Sequence, residues 1–191
     1  RPRSNFDGSK VLFESTLDLT SELDANTSSS SKNLYVWSDE TGISLVNKNS
    51  QGDIIESNYG WHADFDQKGE KIVFQTGEQL DLSDTNTHSD VYLKNIDSGK
   101  VSLVSDQTVQ VNTPDGNDLL QVGGISPFIS PNGKYVGYQK YLYQTEGSYM
   151  FLHDLEQDIT VPVPGVENTN DSPHFTSENI ETISSKGLLF W

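Results

Sequence analysis

Apolar residues occur along this chain in runs of three to five, separated by polar turns that contain glycine. In each run a tight turn precedes three apolar or aromatic residues, which is typical of the second strand of a β-hairpin. The copies recur at intervals of roughly sixty residues, a period typical of repeat architectures. They are Phe6–Phe13, Phe65–Phe74, Ile129–Tyr138 and, more faintly, Ser184–Phe190.

The remainder of each unit repeats as well. A polar loop leads from the hairpin to a third predicted strand, at Asn33–Trp37, Asp90–Lys94 and Ser148–His153. A turn then leads to a fourth predicted strand, at Ile43–Val46, Lys100–Val104 and Ile159–Val163. Four short strands joined by hairpins form one blade of antiparallel sheet, and neighbouring blades must cover its apolar faces.

The pattern therefore predicts an all-β, propeller-like array of antiparallel four-stranded blades, with three full units and a partial fourth. Residues 1–191 are read as a single domain, and an ordinary β-sandwich is the alternative. In the partial unit, Ser172–Phe175 is predicted to be an innermost strand and the run ending at Trp191 a second. Because the units do not close and the chain begins without Met, we expect a domain excised from a much longer polypeptide.

Two segments carry a resemblance to a known family. Ser126–Tyr138 reads Ser-Pro-Phe-Ile-Ser-Pro-Asn-Gly-Lys-Tyr-Val-Gly-Tyr, and Leu80–Leu93 of the previous unit reads Leu-Asp-Leu-Ser-Asp-Thr-Asn-Thr-His-Ser-Asp-Val-Tyr-Leu. Both segments resemble the WD40-like propeller repeats of TolB type, and the resemblance extends from about Phe6 to Phe190. It implies the propeller fold and leaves the function open, because propellers host many unrelated activities.

The net charge of the chain limits the classes of partner that it is expected to bind. Asp and Glu number 28 against 12 Lys and Arg, a formal net charge of −16. Nucleic acids and anionic membranes need a basic surface, so both are excluded as expected partners. The acidity is explained either by general solubility or by carboxylates that bind cations.

Calcium is the cation that the loops suggest, because it prefers six to eight oxygen ligands on flexible segments. Short Asp and Asn side chains alternate in three segments. In the segment Asp84–Asp90, His88 would add a backbone carbonyl as a further ligand. The alternative is that Asp and Asn only form Asx-turns. The candidate ligands are Asp24, Asn26 and Asn33; Asp84, Asn86, His88 and Asp90; and Asp115, Asn117 and Asp118.

Signals for catalysis are weak. The chain has no Cys, and its four His residues show no metal-ligand spacing. No nucleophile, zinc-binding or phosphate-binding motif occurs, so we expect a binding protein and not an enzyme. Aromatic residues beside the loops are candidates for ligand binding or, alternatively, for packing between blades, the role favoured for Trp37. The candidates for ligand binding are Tyr59, Trp61, Tyr141 and Tyr143.

Two functions from different classes follow. The acidic loops resemble the calcium-dependent peptide-binding domains of bacterial RTX adhesins, which implies capture of a peptide or protein on another cell surface through its C-terminal carboxylate. On that hypothesis the domain is monomeric, extracellular and displayed on a bacterial surface. The alternative is a TolB-like periplasmic propeller that acts as a protein-interaction scaffold without an obligatory metal. No apolar run approaches the length of a membrane span, so no membrane insertion is expected.

Overall fold

The computed structural model describes most of the chain, and every regular element in the described part is a β-strand. No helix occurs in that part. The described residues are 2–23, 31–55, 61–105, 109–113, 116–120, 123–142, 147–167, 183–184 and 187–188.

Twelve strands form three sheets of four, and each strand pairs antiparallel with the next in sequence. Blade 1 comprises β1 (Arg3–Ser4), β2 (Lys10–Ser15), β3 (Asn33–Ser38) and β4 (Gly42–Leu45). Blade 2 comprises β5 (Asp64–Phe65), β6 (Lys71–Thr76), β7 (Asp90–Asn95) and β8 (Val101–Leu103). Blade 3 comprises β11 (Ile125–Ile129), β12 (Tyr135–Leu142), β13 (Gly147–Asp154) and β14 (Ile159–Glu167). The predicted all-β fold with three four-stranded units is confirmed.

Two further hairpins lie outside the blades. β9 (Val109–Thr113) pairs with β10 (Gly116–Leu120) in the connection between blades 2 and 3, where the repeat pattern predicts no strand. β15 (Ile183–Ser184) pairs with β16 (Gly187–Leu188) within the fourth copy of the sequence pattern. The innermost strand predicted at Ser172–Phe175 lies outside the described residues.

The turn between the first two strands of each blade is built in the same way. A polar side chain at its start accepts a hydrogen bond from the backbone N–H at the start of the second strand. Asn5 accepts from Lys10 at 2.9 Å, Asp66 from Lys71 at 3.1 Å, and Ser130 from Tyr135 at 2.9 Å. A glycine with positive φ then closes the turn, at Gly8 (75°), Gly69 (64°) and Gly133 (66°). Glycine adopts this left-handed conformation without steric cost.

Apolar side chains bury the faces between successive blades. We call the face that a blade turns toward the next blade in sequence its trailing face, and the opposite face its leading face. Leu12, Leu34 and Val36 of blade 1 pack with Ile72 and Phe74 of blade 2 in one core cluster. A second cluster joins the trailing face of blade 2 to the leading face of blade 3. Neighbouring blades therefore cover one another, as the repeat predicts.

Each leading face carries a stacked aromatic pair at the same register. Phe13 stacks on Tyr35 in blade 1, Phe74 on Tyr92 in blade 2, and Tyr138 on Phe151 in blade 3. Ring centroids lie 5.7, 6.1 and 6.0 Å apart, within the range of favourable offset stacking. Each pair consists of one phenylalanine and one tyrosine. The tyrosine lies on the third strand in blades 1 and 2 and on the second strand in blade 3.

Candidate interaction surface at the long-loop end

The two ends of the blades differ in how their strands are connected. At one end the first strand turns into the second, and the third into the fourth, through short segments such as 5–10 and 95–100. We call this the tight-turn end. At the opposite end the second strand reaches the third through longer loops, residues 16–32 in blade 1 and 77–89 in blade 2. We call this the long-loop end.

The loop of blade 1 is held by a buried tyrosine. The hydroxyl of Tyr35 donates a hydrogen bond to the backbone carbonyl of Leu17 at 2.7 Å and accepts one from the N–H of Leu19 at 3.4 Å. Asp18 Oδ1 accepts hydrogen bonds from the N–H groups of Thr20 and Ser21, which forms an Asx-turn. The described part of this loop is therefore fixed to the third strand.

The loop of blade 2 repeats the device with a carboxylate added. The N–H of Leu80 donates to the Tyr92 hydroxyl at 3.3 Å, and that hydroxyl donates a short hydrogen bond to Asp84 Oδ2. Asp84 and Tyr92 are both buried. Burial, and next the hydrogen bond to Asp84, raise the pKa of the Tyr92 phenol, which therefore stays protonated and keeps donating.

A second polar contact closes the long-loop end of each of these two blades. In blade 1, Asn47 Nδ2 donates to Asn33 Oδ1 at 3.0 Å, and Asn47 Oδ1 accepts from the N–H of Leu34 at 3.0 Å. In blade 2, Ser105 Oγ donates to Asp90 Oδ1 and accepts from the N–H of Val91 at 3.0 Å. In both blades a side chain just after the fourth strand is hydrogen-bonded to the first residue of the third strand. The pair consists of two amides in blade 1 (Asn47 and Asn33) and of a hydroxyl and a carboxylate in blade 2 (Ser105 and Asp90).

Three leucines are exposed on these fixed loops. Leu17 is 66% exposed, Leu82 is 95% exposed and Leu19 is 37% exposed. Lys32 is the sole Lys or Arg in segments 16–32 and 77–90, and its Nζ lies 3.6 Å from a carboxylate oxygen of Glu14. The acidic residues of these segments in the described part are Asp18, Glu22, Glu78, Asp81, Asp84 and Asp90. The loops therefore combine exposed leucines with negative charge.

The innermost strands begin at the same end. His62 (φ 41°) and Ser126 (φ 52°) occupy matching positions two residues before Asp64 and Phe128, and both have positive φ although neither is glycine. Below them, Arg3 Nη1 of blade 1 donates to Asp64 Oδ1 of blade 2 at 2.9 Å. Burial raises the pKa of Asp64, while Arg3 acts in the opposite direction. This ion pair links the innermost strands of two blades.

Asp84, Asn86 and His88 lie in the long loop of blade 2 and Asp90 begins β7 directly after it, at one of the three places where calcium is predicted. Asn86 Nδ2 donates to Asp90 Oδ2 at 2.8 Å, and the N–H of His88 donates to Asn86 Oδ1 at 2.6 Å. The carboxylates of Asp84 and Asp90 thus accept hydrogen bonds from protein donors. Among the described residues, no group of three or more His, Asp or Glu side chains is arranged to hold a metal ion. Calcium at this loop stays a prediction.

The other candidate ligands divide between strands and segments that are not described. Asn33 begins β3 and is buried against Asn47. Asn117 and Asp118 lie within β10, opposite Asn112 and Val111, and not in a loop as expected. Tyr141 lies in β12, paired with Ser148. The candidates outside the described residues are Asp24, Asn26, Asp115, Tyr59 and Tyr143.

Trp37 and Trp61 are placed opposite to what the sequence suggests for them. Trp61 is fully buried in the cluster between blades 1 and 2, where its indole N–H donates to the Lys32 carbonyl at 2.6 Å and its ring meets Phe74 edge-on. This placement favours packing over ligand binding. Trp37, expected to pack between blades, is 36% exposed, since none of the three described blades covers the leading face of blade 1.

The exposed leucines were missed by sequence reasoning. A usable signal was present, because Leu-Asp-Leu occurs at residues 17–19 and again at residues 80–82. The motif resembles the alternation of a β-strand, in which both leucines would point to the same buried face. The Asx-turns at Asp18 and Asp81 instead hold both segments in loops.

Comparison with known proteins supports the fold. No protein-family model and no curated protein matches the sequence. The chain is similar to a solved structure described as TolB from Agrobacterium tumefaciens, with a TM-score of 0.51 and 14% identity over 84% of this chain and 44% of that chain. It is also similar to the β-propeller domain of the Trilobed protease from Pyrococcus furiosus, with a TM-score of 0.49 and 10% identity over 88% of this chain and 42% of that chain. The chain thus spans less than half the length of either structure.

The similarity to the TolB structure shows a β-propeller fold and nothing finer, because sequence identity is low. The structures named here give no support to the resemblance with RTX adhesin domains. The fold by itself leaves open whether this chain acts in catalysis. The described residues contain no helix that is both long and apolar enough to span a membrane.

Proposed function

We propose that this chain forms part of a β-propeller that serves as a protein-interaction scaffold, and that the long-loop surface binds the partner. The observation that carries the proposal is the exposure of Leu17 and Leu82 on loops that buried tyrosines hold in place. Exposed apolar side chains gain free energy when a partner covers them. Loops that are already ordered lose less conformational entropy on binding than free ones.

The charge of the same loops indicates the chemistry of the partner. Asp18 is the sequence neighbour of Leu17 and Leu19, and Asp81 that of Leu82, while Glu22 is paired with Lys48 and the single lysine of these segments lies beside Glu14. A protein surface that combines apolar side chains with Lys or Arg is complementary to this arrangement. Affinity for such a partner should fall as salt concentration rises, because salt screens exposed charges.

The test begins with proteins captured on the immobilised chain and identified by mass spectrometry. The affinity of each is then measured for Leu17→Ser, Leu82→Ser and Asp18→Asn, the last of which keeps the hydrogen-bond acceptor of the Asx-turn. A specific partner should bind the leucine variants about tenfold or more weakly. The matched controls are Ile159→Ser, which also alters an exposed apolar residue, and Asp39→Asn at the tight-turn end. Equal loss in the controls, or none in the loop variants, would reject the long-loop surface.

A calcium-dependent, extracellular adhesin module is the narrower hypothesis from the sequence. The convergence of Asp84, Asn86 and Asp90 in one loop is consistent with it, whereas their hydrogen bonds to Tyr92 and Ser105 explain the same residues without metal. Calcium that binds only the folded chain must raise its melting temperature. If a chelator leaves both the melting temperature and partner binding unchanged, the scaffold does not need the ion.

A further inference from the structure

The short segments that lead into the innermost strands of blades 2 and 3 lie against the long loop of the preceding blade. We call them entry segments: residues 61–63 before β5 and residues 123–124 before β11. The long loops end at Lys32 in blade 1 and at Ser89 in blade 2, directly before the third strands. Each entry segment contacts the backbone carbonyl group of that last loop residue.

In blade 2 the entry segment is bound to blade 1 by two hydrogen bonds of one residue. The indole N–H of Trp61 donates to the Lys32 carbonyl at 2.6 Å, and its backbone N–H donates to Glu14 Oε1 at 2.9 Å. Glu14 lies next to the end of β2, where the long loop of blade 1 begins. Because Trp61 is fully buried in the cluster between the two blades, it holds the start and the end of this loop in a fixed position.

Blade 3 makes the same two contacts with blade 2 through different groups. Gln75, at the register position of Glu14, accepts a hydrogen bond at Oε1 from the N–H of Ser126 at 2.7 Å. At the end of the loop, Gly123 takes the place of the indole, and a Cβ added there would lie 1.7 Å from the Ser89 carbonyl oxygen. Gly123 does not have the positive φ of the turn glycines, so this position requires glycine because of space.

Gly124 connects the same loop to blade 3. A Cβ added at Gly124 would lie 2.8 Å from Ser105 Cβ and 3.1 Å from Tyr138 Cδ2. Ser105 closes the base of the long loop through its hydrogen bond to Asp90, whereas Tyr138 lies on the leading face of blade 3. Residues 123–124 therefore lie between the loop and the sheet of blade 3, and neither has space for a side chain.

We propose that each entry segment positions the long loop of the preceding blade, with Trp61 and Gly123 as positioning residues of the long-loop surface. The inference deepens the proposed function and rests on it, because these loops carry Leu17 and Leu82. An ordered loop loses less conformational entropy when a partner covers it, so a loosened loop should bind more weakly with its leucines unchanged. The surface that one blade presents therefore depends on the blade that follows it.

Amide hydrogen exchange tests the positioning without any partner. Gly123→Ala should displace the Ser89 carbonyl and speed exchange in residues 77–89 about tenfold or more, after correction for the change in global stability. Gly137→Ala is the matched control, because a Cβ there would lie 1.8 Å from Phe128 Cζ but within the sheet of blade 3. It also lowers stability and should leave exchange in residues 77–89 unchanged after the same correction.

Trp61→Phe gives a second test that is independent of the glycines and keeps an aromatic ring in the core. Loss of the indole N–H should speed exchange in residues 16–23, the described part of the blade 1 loop, by about tenfold. Ile72→Val removes volume from the same cluster without removing a hydrogen bond and serves as its control. If Gly123→Ala does not fold, this pair decides. Loop exchange that matches the control in either pair would overturn the proposal.

The consequence for binding is measured with a captured protein whose affinity Leu82→Ser weakens. Gly123→Ala should weaken the binding of that protein about tenfold, and Gly137→Ala should leave its affinity unchanged. A loosened loop that binds as tightly as the unmodified one would overturn the positioning role. If no protein is captured, the proposed function fails, while the exchange measurements still decide whether the entry segments hold the loops.

Discussion

At the tight-turn end each blade is joined to the next by the same set of contacts, whereas at the long-loop end blades 1 and 2 are closed by different contacts. The N–H of Phe6 donates to the Gln67 carbonyl at 3.1 Å, and the N–H of Gln67 donates to the Pro131 carbonyl at 2.9 Å. Lys10 Nζ reaches the Gly69 carbonyl at 2.9 Å, and Lys71 Nζ reaches the Gly133 carbonyl at 2.7 Å. These contacts set the register between neighbouring blades.

The long-loop end differs from blade to blade at matching positions. Asn33 in blade 1 corresponds to Asp90 in blade 2, and the Tyr35 hydroxyl meets backbone groups where that of Tyr92 meets a carboxylate. The comparison shows that the contacts between blades are repeated at the tight-turn end, whereas the residues at the long-loop end differ between blades 1 and 2. Binding loops on a rigid scaffold have this arrangement.

The largest expected effect tests the tight-turn end through a pair of glycines. Gly133→Ala should lower the free energy of unfolding by about 3 kcal/mol, because the left-handed φ of 66° penalises a Cβ and the methyl group would press on Asp66. Asp66 cannot easily move, since its Oδ1 accepts two backbone hydrogen bonds. Gly99→Ala, with φ 69° and open space, should cost only about 1 kcal/mol. If urea unfolding gives the same loss of free energy for both variants, the turn at Gly133 does not contribute to the contact between blades.

The next effect tests the anchoring of the long loops. Tyr92→Phe should destabilise the chain by about 2 kcal/mol, because it leaves the buried Asp84 carboxylate without its hydroxyl donor. Tyr35→Phe removes hydrogen bonds to backbone groups at a partly exposed loop and should cost about 1 kcal/mol. Hydrogen exchange should also become faster in residues 77–89 of the first variant and in residues 16–23 of the second. No difference between the two variants would argue against the carboxylate as the distinguishing feature.

A buried lysine beside the tight-turn end supplies a pH test. Lys94 Nζ donates to the Lys48 carbonyl at 2.6 Å, and desolvation, followed by the charge of Lys48, lowers the pKa of Lys94 from 10.5 to about 8. The unfolded chain therefore binds this proton more tightly, so stability rises as pH increases from about 8 to about 10.5. Lys94→Met should remove a rise of roughly 1 to 2 kcal/mol from urea unfolding measured across that range. A rise that persists in the variant must come from another group.

The smallest effect tests the lysine contacts between blades. Lys71→Met keeps most of the side-chain volume and loses the hydrogen bond to the Gly133 carbonyl, so we expect a loss of about 1 kcal/mol. Lys68→Met, at an exposed position of the same turn, is the control and should lie within about 0.5 kcal/mol of the unmodified chain. Chemical unfolding of both variants in one buffer makes the comparison. A Lys71 variant as stable as the control would limit the register contacts to the backbone.

Local order in this protein could be read from sequence because it depends on neighbours along the chain. The turns at Gly8, Gly69 and Gly133 need a residue that tolerates positive φ, and alternating apolar residues after them need a buried strand face. These requirements determined the strands and their antiparallel pairing within each blade. They also determined that faces between blades would be apolar. The β9–β10 hairpin was missed because it lies in a connection where the repeat provides no pattern.

Only the tertiary structure decided which side of each blade is covered and what each polar residue meets. Trp61 is buried because blade 1 packs on the leading face of blade 2, whereas Trp37 lies on a face that none of the three described blades covers, a difference that neither tryptophan encodes locally. Asp84 and Asp90 could be read as calcium ligands because a carboxylate accepts a hydroxyl hydrogen bond as readily as it binds a cation. The hydroxyls that reach them come from the next strand and the segment after the fourth strand: Tyr92 lies eight residues after Asp84, and Ser105 fifteen residues after Asp90. Burial and hydrogen-bond partners depend on contacts across space, and for that reason a repeat pattern in sequence does not determine them.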